Sequence, residues 1–285
     1  MTATTAAPAV GSDQLNGLFI PPQPRILIEL QQEQRAASPD LRRVVASVGA
    51  DPGLAAGVLK VANSPAFGVK VTSISAAVNM LGLNRTFNIV TSLALKQQLS
   101  QKVQLDRFWD TAAETALACA IVARRVPGLS PDLAHMLGLF HECGVPILAM
   151  RFPNYKATLM AANRAVERKF TDVEDEIHGT NHAVVGYLVA KSWHLPDDVR
   201  ESILVHHEPL TPVLTDARVP QPRRTLLAAL KIGEFVAHSA RRMTMLNGWD
   251  GGNGDACLDY LALSHTELED VMEDFCEAKR EMGLN

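Results

Sequence analysis

The strongest constraint on the fold is a series of helix-start signals, each followed by apolar residues at helical spacing. Ser38–Asp40 and Ser130–Asp132 each combine a capping serine, a proline suited to the first helical turn and an acid that favours the helix dipole. Asp51–Pro52 repeats this signal. No segment alternates apolar and polar residues with a period of two for long. The sequence therefore predicts an all-α fold, a compact multi-helix bundle.

Composition agrees with a helical core and argues against one class of partner. Hydrophobic residues make up 47% of the chain and aromatic residues only 5%, so Leu, Val, Ile and Ala must build the core. These proportions favour helices, because strands are enriched in aromatic and β-branched side chains. The formal net charge of −4 argues against a nucleic-acid partner, since such binding relies on neutralising phosphates.

The same residues predict a cytoplasmic protein without a membrane partner. Met136–Met150 is apolar but is interrupted by His141 and Glu142, so we expect no transmembrane segment. Met1–Val10 lacks a basic start and an apolar run, which argues against a secretory signal. The four cysteines form no Cys-x-x-Cys pair, and we expect all of them to be reduced.

Segment composition predicts three parts of the chain. Residues 1–20 are expected to be a disordered leader, because they offer little to bury. Residues 20–240 carry the helical patterns and form the main domain. Residues 241–285 are expected to be a Gly-rich loop followed by an amphipathic helix packed on that domain. The acids of the loop at Asn247–Asp255 do not fit a calcium-binding EF-hand, which leaves a solvated loop.

Several boundaries inside the main domain follow from local signals. Ser73 is predicted to cap a helix that stops at Gly82, and a longer helix follows. Residues 155–170, 173–193 and 197–207 are predicted to form three helices. Four prolines within Pro209–Arg223 predict a loop or linker before the helix at residues 225–242.

Histidines and one acid are the candidates for chemistry. His141–Glu142 follows an apolar helix, His182 lies on a later helix, and His206–His207 ends another. Imidazoles and a carboxylate from several helices could bind a divalent metal in one bundle. They could equally serve in packing, capping and ion pairing. Since neighbouring residues on a helix point in different directions, we expect at most one of His206 and His207 to face a given site.

Specific motifs resemble those of the HDOD family. They include Gly49–Ser64 (GADPGLAAGVLKVANS), Ile74–Leu83 (ISAAVNMLGL), Phe108–Trp109, Phe140–Gly144 (FHECG), His182–Gly186 (HAVVG), Trp193–Pro196 and His206–His207. The resemblance spans about residues 20–240 and implies a bundle of the HD-like type. Its structural motif positions in this chain are Asp51, Pro52, Asn63, Ser64, Gly82, Trp109, Trp193 and Pro196.

The resemblance also implies how function should differ from that of HD phosphohydrolases. HDOD domains are similar to these metal-dependent enzymes but are usually non-catalytic signalling domains. A first ligand histidine is expected just after Phe108–Trp109, where this chain has Thr111 instead. The His-Asp pair is replaced by His141–Glu142, and no Asp stands near Gly233–Glu234. Because the longer Glu142 should displace its carboxylate within a tight site, we expect poor metal binding and little hydrolysis.

We therefore expect a non-enzyme: a bacterial regulatory domain that binds a partner protein or a small signalling ligand. The alternative is a residual metal-dependent phosphohydrolase or phosphodiesterase. We expect no catalytic residues and no cofactor, with His141, Glu142, His182, His206 and His207 as weak candidates for a divalent metal. The histidines are expected to serve in packing and hydrogen bonding, and Asn63 and Ser64 to hold a structural turn.

Overall fold

The computed structural model describes residues 17–63, 70–100, 106–165, 168–241 and 253–281. Within these ranges the chain forms fifteen helices and no β-strand, so the predicted all-α fold is confirmed. The helices are α1 (Arg25–Arg35), α2 (Leu41–Gly49), α3 (Pro52–Ala62), α4 (Ile74–Ser100), α5 (Asp106–Arg125), α6 (Pro131–Phe140), α7 (Gly144–Arg151), α8 (Tyr155–Arg164), α9 (Phe170–His178), α10 (His182–Ser192), α11 (Asp197–Val205), α12 (Leu210–Thr215), α13 (Gln221–Ala240), α14 (Asn253–Leu261) and α15 (His265–Glu281).

Local capping starts several of these helices as predicted. The Asp51 carboxylate accepts from the backbone amides of Gly53 and Leu54, and the Ser130 hydroxyl accepts from Leu133. The helix-start signal at Ser38–Asp40 acts two residues later than expected, because Asp40 and not Ser38 caps α2. The backbone amide of Asp40 is itself bound by the Glu33 carboxylate at 2.8 Å, which fixes Asp40 in this role.

Two glycines interrupt helical stretches. Gly82 adopts φ 75° inside α4, so the predicted stop appears as a kink between two helical halves. Gly179 adopts φ 70° and ends α9. The prediction of one helix over 173–193 is therefore wrong, because Asn181 then caps a new helix through its bond from Val184.

The proline-rich segment is also more helical than predicted. Residues 209–223 contain α12 and the start of α13 instead of a continuous loop. Pro209 and Pro220 stand just before helices, and a proline also occupies the first turn of α13. A proline at a helix start costs no internal hydrogen bond, so four prolines allow two helices here.

The packing divides into an outer and a central group around one continuous core. In the outer group α1, α2 and α3 pack on α4, and in the central group α5 lies between α6 and α13. Leu18 and Ile20 pack against this core, so the end of the predicted leader is part of the domain. Residues 1–16 of that predicted leader lie outside the described residues. Pro131–Arg151 is long and apolar enough to cross a membrane, but 72% of its apolar window is buried inside the protein, as for a core helix.

The C-terminal helices pack on the central group. Helix α14 contacts α13, and α15 contacts α5 and α13. The buried Glu114 carboxylate of α5 binds Arg241 at 2.5 Å and Lys279 of α15 at 3.1 Å. Helix α14 begins at Asn253, so the end of the predicted Gly-rich loop is helical, while residues 242–252 lie outside the described residues.

Several motif residues fix connections between helices. The Asn63 side chain forms two hydrogen bonds with the backbone of Val71, at 2.7 and 2.8 Å, and so ties the end of α3 to the residues just before α4. The buried Trp193 indole donates to the Pro21 carbonyl at 2.8 Å, and Pro196 precedes α11. Trp109 is buried within α5. Ser64 lies outside the described residues.

Candidate functional site

Close contact between α7 and α10 creates the site. A Cβ atom built on Gly144 would lie 2.1 Å from the His182 carbonyl oxygen, so only glycine permits this approach. Gly186 sits at the same crossing, where a Cβ would lie 3.3 Å from the Cys143 sulfur. The glycines of the FHECG and HAVVG motifs therefore bring Glu142 next to His182.

Four side chains converge at this crossing, and we call them the metal cluster: Glu142, His182, His206 and His207. The Nε2 atom of His182 lies 3.3 Å from that of His206 and 3.0 Å from that of His207. The Glu142 carboxylate oxygens lie 3.5 Å from His182 Nε2 and 3.6 Å from each of the other two Nε2 atoms. One ligand atom from each residue thus fits within 4.8 Å of all the others, close enough to hold one metal ion.

One expectation from the sequence is wrong at this cluster. His206 and His207 both face the site, because α11 ends at Val205 and the chain turns there, with the Glu208 amide bound to the Val205 carbonyl. Glu142 lies in the turn after α6, and its carboxylate is one of the four groups that converge here; whether it lies farther out than the shorter Asp would stays a prediction.

Hydrogen bonds on the far side of two rings fix their tautomers. His182 Nδ1 lies 2.6 Å from the Glu174 carboxylate, and His206 Nδ1 lies 2.7 Å from the Ile203 carbonyl. Both partners only accept, so each Nδ1 carries the proton. In the neutral form of each ring, Nε2 then carries a lone pair and no proton, and the lone pairs of the two rings face each other. Such an arrangement needs a proton or a metal ion between the rings.

The remaining candidate, His141, belongs to a second group that we call the lysine cluster: His141, Lys231 and Glu234. His141 Nδ1 lies 2.8 Å from the Gly138 carbonyl, and its Nε2 lies 3.4 Å from Glu234. Glu234 also binds Lys231 at 2.6 Å. Both nitrogens of His141 are therefore engaged outside the metal cluster, although its ring lies only 5.3 Å from that of His206.

The electrostatics of the two clusters differ. Burial would lower the pKa of His182, but the carboxylates of Glu142 and Glu174 raise it to about 9. Burial and the neighbouring His206 lower the pKa of His207 to about 3. Burial lowers the pKa of His141 to about 4. Only one of these three rings thus attracts a positive charge, and it lies in the metal cluster.

Sequence reasoning missed the residues that support the cluster from α9. Glu174 is fully buried and binds both His182 and the Tyr155 hydroxyl. The Phe170 ring stacks on His207 with 5.3 Å between ring centres. No sequence signal distinguishes Glu174 from Asp172, Asp175 and Glu176 on the same helix, because only tertiary packing buries one of these acids.

The position expected for a first ligand histidine contributes nothing to the site. The Thr111 hydroxyl bonds to the Arg107 carbonyl of its own helix at 2.8 Å. Among the described residues no ligand atom from α5 belongs to the metal cluster.

Comparison with known proteins identifies one family model and several relatives. The model described as HDOD domain matches residues 20–209. An uncharacterized protein of Treponema pallidum (strain Nichols) is 28% identical over 213 residues, which cover 72% of this chain and 40% of the relative. The matched region thus spans less than half the length of that relative.

Solved structures share the fold. An HDOD domain protein of unknown function from Geobacter sulfurreducens aligns with a TM-score of 0.70 at 20% identity, covering 95% of this chain and 93% of that one. A proposed signal transduction protein from Marinobacter aquaeolei VT8 aligns with a TM-score of 0.73 at 22% identity, covering 95% and 63%. A proposed metal-dependent phosphohydrolase from Shewanella amazonensis SB2B aligns with a TM-score of 0.65 at 22% identity, covering 93% of each chain. At these identities the likeness establishes the HD-like fold alone.

Proposed function

Because the chain belongs to the HDOD domain family, we propose that it is a non-catalytic regulatory domain that holds one divalent transition-metal ion. It would act by binding a regulatory protein or a small signalling ligand. The observation that carries the proposal is the convergence of three imidazole nitrogens and one carboxylate on one point, with two of the rings fixed as Nδ1–H tautomers.

The donor set fits a metal such as zinc, iron or manganese. Imidazole nitrogen and carboxylate oxygen are common ligands of these ions. Glu142, His182, His206 and His207 would hold it, and they come from the turn after α6, from α10 and from the turn after α11. When bound, the ion would supply positive charge among facing lone pairs and tie these segments together.

Two features favour a regulatory role over hydrolysis. Four protein ligands fill a tetrahedral ion, whereas a catalytic zinc keeps one position for water. Furthermore, the residues at the other positions expected to bind metal in the enzymes point elsewhere or pair with one another: Thr111 bonds to its own helix, and His141 binds Glu234. The cluster is thus suited to hold an ion and poorly suited to activate water on it.

The alternative is a phosphohydrolase, and one observation favours it. The side chains of Glu142 and His207 are 29% and 19% exposed, so the cluster opens to solvent on one side. An ion with six coordination positions would keep room there for water.

Metal analysis together with an activity assay tests the proposal. We expect the purified protein to carry about one metal equivalent and the His182→Ala variant to carry almost none, since a buried ligand is lost. His265→Ala is the matched control, because His265 is exposed on α15 and distant in sequence from the cluster. Neither bis(p-nitrophenyl) phosphate nor a cyclic dinucleotide should be hydrolysed.

Two results would overturn the proposal. Hydrolysis that is abolished by His182→Ala would favour the phosphohydrolase. A wild-type protein that retains no metal after purification and binds no added Zn²⁺, Mn²⁺ or Fe²⁺ would remove the metal from the proposed function.

A further inference from the structure

The Glu174 carboxylate lies behind the metal cluster and is completely buried. One of its oxygens accepts from the His182 backbone amide at 3.2 Å and contacts His182 Nδ1 at 2.6 Å. The other oxygen accepts from the Tyr155 hydroxyl. All hydrogen bonds in this series, from Tyr155 through Glu174 to His182, are buried. The opposite side of the His182 ring places Nε2 at the centre of the cluster.

No lysine or arginine balances this charge in the part of the chain that the structure describes: the ion pairs of Glu174 involve His182 alone. A buried carboxylate without a cation is costly. Glu142 adds a second carboxylate on the opposite side of His182. Two negative charges flank one ring, and a dication would offset both of them.

Helix α9 contributes a second support to the same cluster. Phe170 lies four residues before Glu174, so both project from one face of the helix. The Phe170 ring lies nearly parallel to His207, with 13° between the planes. One helix face therefore restrains two of the three histidines.

We propose that Glu174 is a positioning residue that fixes His182 Nε2 as a metal ligand and adds the negative charge that retains a dication. This inference rests on the proposed metal site and names the residue that sets its affinity. Carboxylate partners of metal-bound histidines act in this way, and their loss weakens binding about 10- to 100-fold.

The test compares Co²⁺ and Zn²⁺ affinity in the wild-type protein and in the Glu174→Gln variant. Glutamine has the same shape: its carbonyl can accept the two His182 bonds, and its amide can donate to the Tyr155 oxygen, so we expect the variant to fold. Visible absorption of bound Co²⁺ and competition with a chelator for Zn²⁺ measure affinity, which should fall roughly 10-fold or more.

Two further variants separate positioning from general loosening. Glu176→Gln is the control on the same helix, since Glu176 is exposed and pairs with Arg168, and its affinity should equal that of the wild type. Tyr155→Phe removes the hydrogen bond from Tyr155 to Glu174 but leaves both bonds between Glu174 and His182 intact. It should therefore lose less metal affinity than Glu174→Gln. Equal losses in Tyr155→Phe and Glu174→Gln, or none in Glu174→Gln, would overturn the inference.

Nitrogen-15 NMR of the wild-type histidine rings provides a measurement that does not depend on how the variants fold. The inference requires His182 to carry its proton on Nδ1 and its metal on Nε2, and the opposite arrangement would overturn it. A wild-type protein that binds neither Co²⁺ nor Zn²⁺ would overturn the proposed function as well. Metal binding that is indifferent to Glu174 would overturn only this inference.

Discussion

The metal cluster and the lysine cluster lie side by side and contain the same kinds of group, yet they obtain positive charge differently. In the lysine cluster Lys231 binds Glu234. Burial alone would raise the pKa of Glu234, but the Lys231 ammonium group lowers it to about 2. At the metal cluster His182 is flanked by Glu142, a cluster member, and by Glu174 behind it, and no ammonium or guanidinium group of the described residues pairs with either carboxylate. Burial lowers the pKa of His141 to about 4, whereas the pKa of His182, despite burial, is raised to about 9 by Glu142 and Glu174.

This difference is the reason that we propose the metal cluster, and not the lysine cluster, as the metal site. Both clusters have imidazole nitrogen and carboxylate oxygen within about the same distance, 3.4 Å for His141 and 3.5 Å for His182. The proximity of imidazole nitrogen to carboxylate oxygen is thus insufficient to indicate a metal site. The cluster that has its own cation is electrostatically complete, whereas the other becomes complete only when an ion or a proton enters.

The largest effect should come from removing the metal. When the free metal concentration is roughly 1,000 times the Kd, metal binding should stabilise the protein by about 4 kcal/mol. A strong chelator at neutral pH should remove this stabilisation and lower the Tm by roughly 8 °C. Thermal melts of the wild-type protein with and without chelator measure this change. The Tm of the His182→Ala variant should not change when chelator is added. An unchanged Tm of the wild-type protein in chelator would contradict the proposed difference between the two clusters.

Loss of the lysine should have a somewhat smaller effect. Lys231→Met leaves the buried Glu234 carboxylate without its cation, which should cost about 3 kcal/mol in the free energy of unfolding. Metal content should not change, because His141 and Glu234 are not ligands. Denaturant unfolding gives the cost, and adding Glu234→Gln to Lys231→Met should restore part of it. A simultaneous loss of metal would show that the two clusters are one site.

The smallest effect should come from a turn remote from both clusters in the sequence. Asn63→Ala removes two hydrogen bonds to the Val71 backbone, which should cost about 1 kcal/mol. Metal analysis of this variant should match the wild type. A parallel fall in metal content would mean that general destabilisation releases the ion, and the variants of the metal cluster would have to be judged against that loss.

Signals within a few residues of one another were readable in the sequence. Asp51 and Ser130 cap helices through their own neighbours, and Gly82 breaks α4 through its own backbone angles. These effects are local, so residue type and spacing are sufficient to predict them. The family motifs likewise indicated the correct fold, and they included every residue of the metal cluster.

Only the tertiary structure decided which of these residues meet and what supports them. His206 and His207 share a site because α11 ends one residue before them, and His141 is diverted because Glu234 of α13 packs against it. Glu174 is one of several acids on α9, and burial against Tyr155 and His182 alone sets it apart. Sequence spacing determines which helix face a side chain occupies, but the charge and burial around it come from helices far away in the chain.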